Sequence, residues 1–148
     1  MMQPDLAMTR FAHTAARWFS ILALLIATPG IAMAIGWPGY AQLGYVLTAS
    51  GLALGIWPPL IGPFRLGGTR PADEFDRMIQ MRGWLAACAS ASFAAIMGII
   101  LLLALGLMGH WSSMALLTAM GTLLTYLLVV LMAVPVLVIG GRTMGDEE

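Results

Sequence analysis

The chain has 148 residues, of which 60% are hydrophobic and only 9% charged, with seven arginines and no lysine balanced against seven acids. A water-soluble domain carries about a quarter charged residues, so that class is excluded; the lack of a broad cationic surface also excludes a nucleic-acid partner. What remains is a helical membrane protein, and at about 20 apolar residues per span four spans nearly exhaust the length.

The first predicted span covers about residues 18–35, entered through Arg17 and interrupted by Thr28-Pro29-Gly30, where proline removes a backbone donor and should kink the helix. Arg10 and Arg17 before an apolar run, with Ala32-Met33-Ala34 as a small-x-small site, imitate a secretory signal. The run is longer than a usual signal core, so it is expected to stay as a true span. Gly36-Trp37-Pro38-Gly39-Tyr40 is a tight turn, and the second span follows over about 41–61, stopped by Pro58, Pro59 and Pro63. A central connector occupies about 65–83. The third span is expected over about 84–108, a turn at Gly109-His110-Trp111-Ser112-Ser113 reverses the chain, and the fourth span runs over about 114–139.

Charge assigns the sides. Arg10 and Arg17 precede the first span, Arg65, Arg70, Arg77 and Arg82 lie in the connector and Arg142 follows the last span, while the turns around Trp37 and Trp111 carry no formal charge. By the positive-inside rule both termini and the connector are cytoplasmic. Trp18, Trp37, Trp57, Trp84 and Trp111 all fall near proposed span ends, where indole rings prefer the headgroup level. The expected fold is therefore an all-α, four-helix transmembrane bundle of two hairpins forming one integral domain over 1–148. The arginine-only basic set is that of a GC-rich genome, which points to a bacterial inner membrane.

Within the connector, Thr69-Arg70-Pro71-Ala72-Asp73-Glu74 reads as a helix start, with proline in the first turn and acids complementing the helix dipole. Phe75, Met78 and Ile79 then share one face, and Arg77 lies four residues from Asp73 and three from Glu74. This predicts a short amphipathic connector helix at the interface or running into the third span. Asp73, Glu74, Asp76, Arg77 and Arg82 are candidates for docking another protein; the plainer alternative is that they pair with one another and anchor the hairpins.

Packing positions follow from small residues at four-residue spacing, which bring helix backbones close. Gly51 and Gly55 mark such a face in the second span, as do Ala86, Ser90, Ala94 and Gly98 in the third. Thr118, Thr122, Thr125 and Tyr126 form a polar stripe in the fourth span that either lines a site or bonds its own helix backbone.

No Asp, Glu, Lys, Arg or His falls between Phe19 and Phe64 or between Trp84 and Gly109. Proton relays and charged-substrate pathways need such groups within the membrane, so neither is expected. His13 and His110 fall on opposite sides of the bilayer and do not form a shared haem site. Cys88 is the single cysteine, which excludes an intrachain disulfide, and Met78-x-x-Met81 is a poor copper pair without cysteine or histidine nearby. No catalytic, metal, nucleotide or cofactor motif is present. The expectation is a non-catalytic accessory, assembly or structural subunit of a larger membrane complex, with membrane lipid, other membrane subunits or further copies as partners. The alternative is a transporter or binding protein for a neutral or apolar small molecule.

Overall fold

A computed structural model describes residues 4–61, 74–108 and 111–142, with side chains described for 14–58, 78, 80–108 and 111–138. Among the described residues the chain is all-helical: α1 (Pro4–Gly36), a single 3-10 turn (Pro38–Tyr40), α2 (Ala41–Ile61), α3 (Glu74–Leu107) and α4 (Ser113–Arg142). Three segments are long and apolar enough to cross a membrane: Thr14–Gly36, Gln80–Leu107 and Ser113–Val138, with mean hydropathy of 2.1, 2.4 and 2.4.

The expected second span is not among these three. The helix α2 has the expected length, 21 residues, and the side chains of its last three residues lie outside those described. Its glycines let α2 lie against α1 almost backbone to backbone. A Cβ added to Gly44 would sit 2.7 Å from the amide nitrogen of Ala34, and one added to Gly51 would sit 2.7 Å from the carbonyl oxygen of Ala23. Contact positions fall along α1 as they rise along α2, so the two helices are antiparallel.

Helix ends follow from local chemistry. The α1–α2 reversal is set by Gly36, Pro38 and Gly39, with the Trp37 amide still donating to the Met33 carbonyl (3.1 Å) and Tyr40 to Trp37 (2.9 Å). At the other reversal the Ser112 carbonyl and hydroxyl accept from the Leu116 and Ala115 amides, which caps the start of α4. The helix α1 begins at Pro4, before the apolar run, and continues through Pro29. One expectation is corrected: Pro58 and Pro59 do not stop α2 but lie within its last turns. The connector helix runs directly into the third span, one of its two expected arrangements, with helix continuous from Glu74 to Leu107. The expected helix start at 69–73 lies outside the described residues, as do Arg65, Arg70 and His110.

Packing is unequal. Both α1 and α2 pack on α4 and on each other, whereas α3 makes an extended contact with α4 alone. One core cluster joins Ala23 and Ala27 of α1 to Val129 of α4, with Leu52, Leu54 and Tyr126 against it; the other joins Leu102 of α3 to Ala119 and Leu123 of α4, with Ile31, Ile35 and Trp111. The consequence is a difference in burial between the last two helices. Only 17% of the most apolar window of α3 is buried, against 39% for α4.

Candidate functional site

Among the described residues, two of the concavities between helices stand out. The smaller, about 380 Å³, is a dent between α2 and α4 lined by Gln42, Tyr45, Val46, Leu117, Thr118 and Gly121. The larger, about 530 Å³, is a groove with α1 and α3 as its walls and α4 as its floor. It exists because α3 is held by α4 and stands away from α1. Ile31, Ala32, Ala94, Met97, Leu101 and Leu123 make its surface apolar, and Thr28 and Tyr126 bring the two hydroxyls.

Those hydroxyls lie 3.4 Å apart and bridge α1 to α4. The Thr28 hydroxyl also donates to the Leu24 carbonyl at 2.7 Å, so toward Tyr126 its oxygen is the acceptor and the phenol is the donor. At 3.4 Å that second bond is longer than a good O–H···O contact, which spans about 2.5–3.0 Å. The Tyr126 donor is therefore poorly spent. Sequence reading singled out Tyr126 but missed Thr28, whose partner lies 98 residues away.

The rest of the polar stripe does not join this site. Thr118, Thr122 and Thr125 donate to the carbonyls of Met114 (2.9 Å), Thr118 (2.8 Å) and Gly121 (2.9 Å), each within α4. Thr122 is fully buried, and Thr118 faces the smaller dent. Back-bonding to the preceding turn is the ordinary fate of threonine in an apolar helix.

Of the packing candidates, Gly51 abuts α1 closely, whereas a Cβ on Gly55 would reach Ala23 Cβ only at an ordinary 3.6 Å. In α3 the buried row runs through Gly83, Ala87, Ala91, Gly98 and Leu102, with Ala86, Ser90 and Ala94 half-buried beside it. Sequence reading also missed Gly30 and Gly44, which with Thr48 form the tightest part of the α1–α2 seam. The available signal was the spacing of Gly44, Thr48, Gly51 and Gly55 along one side of α2.

Of the five docking candidates, only the Arg82 side chain is among those described. Asp73 lies outside the described residues; Glu74, Asp76 and Arg77 fall in the first turn of α3 with their side chains outside the description; Arg82 is exposed. Cys88 and the Met78 and Met81 side chains are exposed on α3. Among the described residues no group of three or more histidine, cysteine or acidic side chains is placed to hold a metal. Comparison with protein-family models, curated proteins and solved structures finds no match for this chain.

Proposed function

We propose that the chain is a four-span integral protein of a bacterial inner membrane, with both termini and the connector at about 65–83 cytoplasmic, serving as a non-catalytic accessory, assembly or structural subunit of a larger membrane complex. Three segments apolar enough to span support the membrane reading, and the antiparallel contact of α2 with α1 supports a fourth span beside them. Arginine placement supports the orientation. A thiol label on Gly39→Cys in a Cys88→Ala background is expected to be reachable only from outside, and one on Gly68→Cys only from inside. The reverse pattern overturns the orientation.

The observation that carries the subunit reading is the one-sided attachment of α3. A spanning helix packed mainly on one neighbour leaves Leu85, Cys88, Ala89 and Ser92 exposed together, and small side chains there permit the close approach of another helix. Extraction of the native protein in mild detergent, sizing and mass spectrometry of what co-migrates test this. A stable heteromeric assembly supports the subunit reading; a monomer or homo-oligomer counts against it. Reversing the charges of Asp73 and Arg77 together is expected to weaken that assembly, and unchanged association with every partner removes the docking role of the connector charges.

A second reading, a binding or transport protein for a neutral or apolar small molecule, is favoured by the groove between α1 and α3 and by the two hydroxyls in it.

A further inference from the structure

The groove has a length, a polarity and a direction that together describe what it would hold. Along α1 it extends from Thr28 to Gly36 and along α3 from Ala94 to Ala104, which is about 12–15 Å at 1.5 Å per residue. That is half of a hydrocarbon core of about 30 Å. Thr28 and Tyr126 lie within about 5 Å of the middle of the segments Thr14–Gly36 and Ser113–Val138, so the hydroxyl pair sits at mid-membrane depth and the groove opens from there toward the α1–α2 turn.

At that depth no bulk water completes the Tyr126 hydrogen bond. Its donor has one acceptor among the described residues, Thr28 Oγ1 at 3.4 Å, and that oxygen already donates its own hydrogen to Leu24. An occupant bearing an acceptor oxygen would satisfy the phenol better. No acidic or basic side chain (Asp, Glu, Lys, Arg or His) lines the groove, so a charged head is excluded at this depth. A phospholipid chain entering from the nearer leaflet would put a methyl end against Tyr126 and leave the donor as it was.

We infer that the α1–α3 groove binds an uncharged, membrane-dissolved molecule that carries a carbonyl oxygen at its inner end and an apolar tail along the groove, with Tyr126 donating to the carbonyl. This deepens the small-molecule reading above, and it rests on the helices lying in a bilayer.

The test uses the full chain in lipid nanodiscs and an octyl-chain benzophenone, whose carbonyl is both the acceptor and the photoreactive centre. Incorporation into nanodiscs is measured first and reports on the membrane reading by itself. On illumination, adducts are expected on the groove-facing parts of α1 and α4 around Thr28 and Leu123. The corresponding octyl-chain diphenylmethane, which lacks the carbonyl, should compete poorly. Tyr126→Phe keeps the ring and removes the donor, and is expected to lower the yield about three- to tenfold, the loss of one hydrogen bond. Ala32→Phe fills the groove from an exposed position of α1 and should abolish labelling, whereas Ala89→Phe on the outer side of α3 should leave it unchanged. Labelling spread over Phe93 and Ile96, equal competition by the hydrocarbon analogue, or an undiminished yield in Tyr126→Phe each overturns the proposal.

Discussion

Gly30 lies directly beneath Thr48: a Cβ on Gly30 would stand 2.5 Å from the Thr48 hydroxyl oxygen and 2.9 Å from its amide nitrogen. The Thr48 hydroxyl cannot swing away cheaply, because it is buried and donates to the Gly44 carbonyl at 2.9 Å. Gly44 is under the same constraint from Ala34. Gly30→Ala and Gly44→Ala are each expected to cost about 1–3 kcal/mol, the usual scale for forcing a methyl into a packed core. Reversible unfolding in mixed micelles measures it, and unchanged stability in both variants would show that α1 and α2 do not meet this closely.

Gly51 and Gly55 look equivalent in sequence, four residues apart on one face, but their surroundings differ. A methyl on Gly51 meets the Ala23 carbonyl and the Ala27 side chain, both under 3.0 Å, whereas a methyl on Gly55 meets only Ala23 Cβ at 3.6 Å. Gly55→Ala should therefore stabilise the protein by about 0.5–1 kcal/mol through helix propensity, while Gly51→Ala destabilises it. Opposite signs in one unfolding assay are the expected result. The same sign for both variants would mean the seam does not narrow between these positions.

The limits of the sequence show in these same residues. Both chain reversals were legible because Gly36-Trp37-Pro38-Gly39-Tyr40 and Gly109-His110-Trp111-Ser112-Ser113 interrupt the apolar runs, and α2 and the start of α4 fall within a residue of expectation. The beginning of α1 was not legible, since apolar content marks a membrane span and nothing between Pro4 and Trp18 ends a helix. The buried row of α3 was also hidden. That helix is apolar all round and has small residues on adjacent rows, so hydrophobicity does not choose between Ala86-Ser90-Ala94 and the Gly83-Ala87-Ala91 row that α4 buries. The Thr28–Tyr126 pair depends on how α1 is placed over α4, which no local pattern encodes.

Gly98 offers a contrast with the α1–α2 glycines. A Cβ there would lie 2.5 Å from Leu123 Cδ1 and 2.8 Å from Cδ2, the flexible end of a side chain rather than backbone. Leu123 can shift toward the neighbouring groove, which it lines. Gly98→Ala is thus expected to cost less than about 1 kcal/mol, below the Gly44→Ala loss in the same assay. A loss as large as that of Gly44→Ala would show that Leu123 is locked in place.

Ser20 is fully buried and its hydroxyl has no hydrogen-bond partner among the described residues, unlike Thr48 and Thr122, which bond the preceding turn of their own helices. An unmade bond in an apolar interior is a cost that the folded state carries. Ser20→Ala removes the hydroxyl and keeps the small volume, so stability should rise by about 1 kcal/mol. A loss of that size instead would mean that Ser20 does bond a group in the folded protein.

Cys88 permits a measurement on the unaltered chain, because it is the single cysteine and lies exposed on α3. It is eight residues into the segment Gln80–Leu107, about 12 Å below its start, on the side that includes Leu85, Ala89 and Ser92. A nitroxide attached there in purified, bilayer-reconstituted protein should relax strongly with dissolved oxygen and weakly with a water-soluble nickel chelate, the behaviour of a lipid-facing site. If α3 is the surface by which this protein joins a larger assembly, the same label in the intact native complex should lose much of its oxygen accessibility while remaining shielded from nickel. Equal oxygen accessibility in the isolated protein and in the complex would place the contact elsewhere, and strong nickel access in the isolated protein would take this part of α3 out of the membrane.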